Sequence, residues 1–148
     1  MIIQIILTKK ENKFLFMKEE QFYEGSALNV FGENYNYQGK KFKKQMQYNT
    51  FGTSINYLLK NNILEIPNYI KIDVDGLEHM ILSGANLFLS NKKIISINIE
   101  INENFKKQFK NVLKIMKKNN FKVYKKFRSQ VLEKNSKFDK TFNYIFIR

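Results

Sequence analysis

The sequence predicts an α/β domain built on a mostly parallel sheet that closes with an antiparallel hairpin. Three observations carry that expectation. From Tyr69 onward, apolar runs and helical periods follow one another as strand, helix, strand, helix, strand, strand. Alternating strands and helices call for parallel neighbours joined by right-handed crossovers, while two closing strands without a helix between them call for an antiparallel pair. The 148 residues, 43% of them hydrophobic, suffice for a single domain over 1–148 with a real core.

Each element has its own signal. Ile2–Thr8 and Lys13–Lys18 flank a four-residue polar turn and are expected to form a hairpin or strand pair. Between Glu19 and Thr50 no period is sustained, and Gly25, Gly32 and Gly39 punctuate the stretch, as in a binding loop. Thr53 or Ser54 caps a short helix with Ile55, Leu58 and Leu59 on its apolar face, ending near Asn61 and Asn62. Pro67 breaks the chain before the strand Tyr69–Val74. Asp75 and Gly76 then turn into a helix carrying Leu77, Met80 and Ile81, interrupted at Gly84 and resumed through Leu87–Leu89. Ile94–Ile101 is the next strand. Phe105, Phe109, Val112, Leu113 and Met116 mark an amphipathic helix that stops at Asn119 and Asn120. Phe121–Phe127 and Phe142–Ile147 close the chain as strands, joined by a lysine-rich connection.

No apolar run reaches the length of a membrane span. The apolar opening is followed, not preceded, by Lys9 and Lys10, the wrong polarity for a secretory signal. Cysteine is absent, so there is no disulfide framework and no thiolate metal site, and a cytoplasmic location is the default expectation. The net charge of +13 comes almost wholly from lysine, with Arg128 and Arg148 the only arginines. Nucleic-acid sites favour the planar fork of arginine, and the lysines are scattered along the sequence without an RNP-type aromatic motif. A solvated lysine surface is the expectation, and no nucleic-acid partner is assigned.

An open α/β sheet places its chemistry at the carboxyl ends of its strands, which singles out Asp73, Asp75, Glu100 and Glu103 by position. In the strand Tyr69–Val74, Ile70, Ile72 and Val74 face one side and Lys71 and Asp73 the other. A carboxylate within an apolar strand is costly unless it is paired, hydrogen-bonded or metal-bound. Asp73 and Asp75 therefore stand as groups that bind a cation or substrate hydroxyls, or act as a base. The plainer alternative has Asp75 capping the next helix and Asp73 pairing with Lys71. Glu78 suits the first turn of a helix through the macrodipole alone. His79, the sole histidine, cannot build a multi-histidine metal site but titrates near neutrality and is a candidate base. Glu100 ends the run Ser96-Ile-Asn-Ile-Glu100 and faces the same crevice as a candidate substrate ligand. No metal site is assigned. Phosphate-cradling glycine loops, nucleophile elbows and cysteine nucleophiles are all absent from the sequence.

The segment YIKIDVDGLEHMILSGANLFLSNKKIISINIEINE, starting at Tyr69, closely resembles the central part of the FkbM-type methyltransferases. There a strand ending K-[IV]-D-[VI]-[DE]-G precedes E-x-x-[IVL]-[IL]-x-G-A and a strand closing on Glu. Lys71, Asp73, Asp75, Gly76, Glu78, Ile81, Leu82, Gly84, Ala85 and Glu100 match in type and spacing. Thr53–Leu59 resembles the family's T-[SL]-[ILV]-D-x-[LF] segment, with Asn56 where Asp is common, and Gly25–Leu28 resembles its small-residue loop. The resemblance implies a Rossmann-like class I methyltransferase fold, S-adenosylmethionine as cofactor, and O-methylation of a saccharide or natural-product hydroxyl. It implies that Asp73, Asp75 and His79 serve catalysis and that Asp73 and Glu100 bind substrate. The family's donor-binding first strands, with their glycine-rich turn and ribose carboxylate, have no counterpart in the sequence. The chain thus corresponds to the C-terminal part of the domain, from about the third strand, and a separate N-terminal polypeptide is a candidate partner. The competing readings are a non-catalytic fragment or interaction module, and a lysine-rich nucleic-acid or membrane-surface binder.

Overall fold

The computed structural model describes residues 5–19, 28–42, 46–128 and 138–148. In chain order these form β1 (Ile6–Leu7), β2 (Lys13–Glu19), β3 (Val30–Phe31), β4 (Met46–Thr53), α1 (Ile55–Lys60), β5 (Tyr69–Ile72), α2 (Glu78–Ser83), β6 (Ser96–Asn102), α3 (Lys106–Lys118), β7 (Lys122–Phe127) and β8 (Thr141–Ile147). The strands make two four-stranded sheets, ordered β1-β4-β2-β3 and β5-β6-β8-β7.

The expected mostly parallel, Rossmann-like class I methyltransferase sheet is not what forms. Among the described strands only β1–β4 and β5–β6 run parallel, and the other pairings are antiparallel. A parallel neighbour needs a crossover long enough to cover the sheet, and β5-α2-β6 is the one such unit with a helix. The closing strand β8 lies between β6 and β7 and pairs antiparallel with both. The expected pairing of the first two strands also fails, because β4 lies between β1 and β2 in the sheet. That strand falls in the stretch read as a loop. Its first six residues are exposed or only half-buried, so no apolar alternation announces it. Residues 84–90, which include the expected helix resumption over Leu87–Leu89, form consecutive turns that still bury Ala85 and Leu89. Residues 2–4, the Gly25–Ala27 part of the small-residue loop, and the connection over 129–137 lie outside the described residues.

The helices are stopped as local chemistry requires. Ser54 caps α1, its Oγ accepting the Tyr57 N–H at 3.0 Å. Asn62 and Asn120, which follow the C-terminal caps of α1 and α3, take the left-handed conformation that asparagine tolerates. One face of the second sheet is apolar. Ile97, Ile99 and Ile101 alternate along β6 with no solvent exposure, and Tyr144 and Phe146 of β8 join them. Val112 and Met116 of α3, with Ile81 and Leu82 of α2, complete this core. A smaller cluster of Val30, Phe31, Leu77 and Met80 joins the first sheet to α2. No helix among the described residues is long and apolar enough to cross a membrane.

At Gly84 the end of α2 packs tightly against the backbone that follows β1. A Cβ there would overlap the Thr8 carbonyl oxygen and lie 3.1 Å from the Lys9 Cα, both backbone atoms with little freedom to retreat. Helix propensity favours alanine over glycine, but the overlap reverses the sign. Gly84→Ala is expected to lose about 1–3 kcal/mol of stability, read as a lower urea midpoint at unchanged m-value. A midpoint equal to or above the parent's would show that this contact is not tight.

Candidate functional site

The carboxyl ends of β5 and β6 lie side by side because the strands pair in parallel from Tyr69 opposite Ser96 to Ile72 opposite Ile99. With the isoleucines of β6 facing the helices, Asn98 and Glu100 face the other way. Strand β8, running antiparallel, sets Asn143 opposite Glu100. Lys71 spans this polar face, its Nζ donating to Asn143 Oδ1 and to Asp73 Oδ2, both at 2.9 Å.

Strand β5 ends at Ile72, so Asp73 lies beyond it. Its side chain is 49% exposed and ion-paired with Lys71, so it does not bear the desolvation cost expected of a carboxylate inside an apolar strand. Its relation to Glu100 is more telling, since the two carboxyl groups share a hydrogen bond. Burial first, then the charge of Asp73 and that hydrogen bond, push the Glu100 carboxyl up to about 7; Lys71 opposes the shift and Asp75 adds to it. The Glu100 carboxyl therefore changes charge near neutrality.

Asp75 and Gly76 form the turn into α2, at φ +51° and +104°. A Cβ at position 76 would come within 3.1 Å of the Tyr37 Cα, so handedness and space both select glycine. The N-cap of α2 is Leu77, without a side-chain capping bond, so Asp75 does not cap the helix. Its Oδ2 instead accepts the Leu28 N–H at 2.9 Å, fastening a distant loop to the turn.

The sequence reading gave Glu78 only a role in the first helical turn, yet it is 2% exposed and clasps the turn before it. Its Oε1 accepts the N–H groups of Val74 and Gly76 at 3.2 and 3.3 Å, and its Oε2 accepts from Gln108 Nε2. Gln108, also buried, accepts the Asn102 N–H at 3.1 Å. Burial pushes the Glu78 carboxyl up to about 7 against the pull of these donors. A carboxylate three residues after Asp75 could have been flagged as a turn clasp, but Gln108 and Asn143 gave no signal at sequence level.

Asp75, Glu78 and Glu100 line one polar crevice of about 20 Å³ together with Gln108 and Thr141, room for about one water. Asp75 also borders a larger apolar cavity of about 370 Å³ walled by Ile6, Leu7, Leu28, Phe31 and Leu77. It is thus the group common to both spaces. Among the described residues no three carboxylate or imidazole groups converge as a metal-ligand set.

His79 lies apart from these groups. It is 3% exposed, lines neither space, and sits edge-on to Phe105 at 5.9 Å between ring centroids. Neither ring nitrogen has a hydrogen-bond partner among the described residues. Burial, with the charges of Lys107 and Lys9, holds its pKa down to about 4.

The described residues do not fit S-adenosylmethionine as a whole. The apolar cavity offers surface, but its one carboxylate, Asp75, is already bonded to Leu28. No glycine-rich turn or second carboxylate there meets the donor's amino-acid and ribose groups.

The pKa of His79 makes a stability prediction. An unfolded histidine titrates near 6.5 and this one near 4, so the unfolded chain binds the extra proton between those values. The stabilisation is complete above pH 6.5 and is lost as pH falls toward 4, at most roughly 3 kcal/mol. Thermal melts of His79→Leu should therefore gain on the parent as pH is lowered through that window. Parallel curves at every pH would show that His79 is not a buried neutral imidazole.

Comparison with known proteins agrees with the motif. The model of the methyltransferase FkbM domain matches residues 23–123, well over half of the chain. No curated protein and no solved structure matches it. The match contains every carboxylate of the crevice, and the chain belongs to the FkbM methyltransferase family.

Proposed function

We propose that this chain forms the acceptor side of an S-adenosylmethionine-dependent O-methyltransferase, acting on a hydroxyl of a saccharide or natural product. The observation that carries the reading is the carboxyl pair Asp73–Glu100 beside Asp75, at the carboxyl ends of two parallel strands within the matched family domain. Methylating a hydroxyl requires that its proton be taken up as the oxygen becomes nucleophilic. Glu100, poised near 7, is matched to that task at neutral pH. The charge of Asp73 helps to hold Glu100 at that value, and Asp75, facing both crevice and apolar cavity, orients the hydroxyl. Acceptor carbon packs on the apolar wall, where alignment supplies much of the rate. His79, enclosed away from the crevice, takes no part.

The donor's polar groups are met outside the described residues, by preceding chain or by a separate N-terminal polypeptide. On this reading, titration calorimetry of the 148-residue chain alone shows no micromolar binding of S-adenosylmethionine, and a micromolar dissociation constant would refute that division of labour. A chimera joining the donor-binding strands of an FkbM relative to this chain tests the chemistry through transfer of labelled methyl groups to saccharide hydroxyls. Rate in the parent chimera should rise with pH through about 7 as Glu100 loses its proton. Glu100→Gln should lower turnover by about 10²–10⁴-fold and abolish that limb. Full activity of Glu100→Gln would remove the base assignment; a chimera that binds donor but methylates no hydroxyl would remove the acceptor reading.

A further inference from the structure

Residues 104–148 hold fourteen of the twenty-six basic residues and two of the thirteen acidic ones, so nearly all of the net charge of +13 lies in that part of the chain. The concentration is sharper over residues 104–127, which contain nine lysines and no acidic residue. All nine lysines are exposed, six on α3 and three on β7. Only Lys126, held by Glu103, has a carboxylate partner among the described residues. The fold places this run of lysines on one helix and one edge strand.

An apolar groove opens in the same region. Between α3 and β7 an open groove of about 570 Å³ is walled by Leu113, Met116, Phe121 and Phe146, with Lys117 and Lys122 at its rim. Beside it Val123 is 50% and Tyr124 68% exposed. A lysine-rich surface with a single carboxylate partner, bordering an apolar groove, complements a surface that is negative outside and apolar within.

We propose that this groove docks the protein on an anionic lipid bilayer. Lysines supply point charges that follow a diffuse, fluid layer of phosphate headgroups, with stems long enough to keep the ammonium groups in that layer. Val123 and Tyr124 enter the interface, where an amphipathic ring is favoured, and the apolar groove receives acyl-chain carbon. Nucleic acid shares the charge complementarity but offers nothing to an aliphatic groove, and its sites draw on arginine. Both arginines of this chain are engaged internally: Arg148 donates to the Ser90 and Asn91 carbonyls and lies over Phe121, and Arg128 donates to the Asp139 carbonyl.

Flotation of the 148-residue chain with vesicles tests the assignment. The protein should float with phosphatidylcholine vesicles containing a minority of phosphatidylglycerol and remain below with pure phosphatidylcholine. Lys117→Gln combined with Lys122→Gln should reduce partitioning about 30-fold, each lysine near such a surface accounting for about five-fold. Val123→Ser combined with Tyr124→Ser should remove the part of the binding that persists at about 1 M salt, where the Debye length is about 3 Å. Both pairs are exposed, and an unchanged thermal midpoint confirms that each variant is folded. Equal binding to neutral and anionic vesicles, unaltered binding in folded variants, or retention of single-stranded RNA without vesicle binding would each overturn the proposal.

Discussion

The carboxylate of Glu78 is the point on which the site depends. It is buried without a cation beside it, a situation that ordinarily costs several kcal/mol. What offsets the cost is geometry: three N–H donors converge on its two oxygens, from Val74, Gly76 and Gln108. The first two belong to the tight turn that leaves β5, and Gln108 carries the connection through α3 to the Asn102 N–H at the end of β6. One side chain therefore ties together a turn, two strand ends and a helix. It also fixes the left-handed pair Asp75–Gly76, which a chain without such a clasp would adopt only at a cost. The position of Asp75 between crevice and apolar cavity is a consequence of that clasp.

The antiparallel strand β8 has a bearing on chemistry that a wholly parallel sheet would lack. Parallel strands bring only their carboxyl ends to a common edge. Because β8 runs the other way, its amino end arrives there, and Thr141 and Asn143 stand opposite Asn102 and Glu100. Asn143 then anchors Lys71, which pairs with Asp73, so the charge balance around Glu100 is set by three strands. The departure from a mostly parallel sheet thus supplies part of the site.

What was legible in the sequence followed from periodicity. The strand of alternating isoleucines at β6 and the amphipathic helix α3 bury one face each, and their patterns report it directly. Strand β4 buries little along most of its length, so its composition carries no such record. Asp73 was expected inside the strand because alternation within β5 was extended two residues past its end at Ile72, while its alternative pairing with Lys71 is the one that forms. Proximity of Asp73, Asp75 and Glu100 could be inferred from the topology of one strand-helix-strand unit. The roles of Glu78 and Gln108 could not, since they depend on which backbone amides a side chain meets across thirty residues.

The polar crevice and the lysine-rimmed groove occupy opposite ends of the same sheet. The crevice adjoins Glu100 and Asn102 at the carboxyl end of β6, whereas Phe146 in the groove pairs with Ile97 near its amino end. Three to five residues of strand separate them, roughly 10–17 Å at about 3.3 Å per residue. They also differ in electrostatic character, since carboxyl groups of raised pKa need a low local dielectric while the lysines face bulk solvent, where salt screens them over about 10 Å at 0.1 M. The link between them is mechanical. Strand β6 contributes its isoleucines to the core beneath the groove and its glutamate to the crevice, so the same buried ladder that supports one end aims the reactive group at the other.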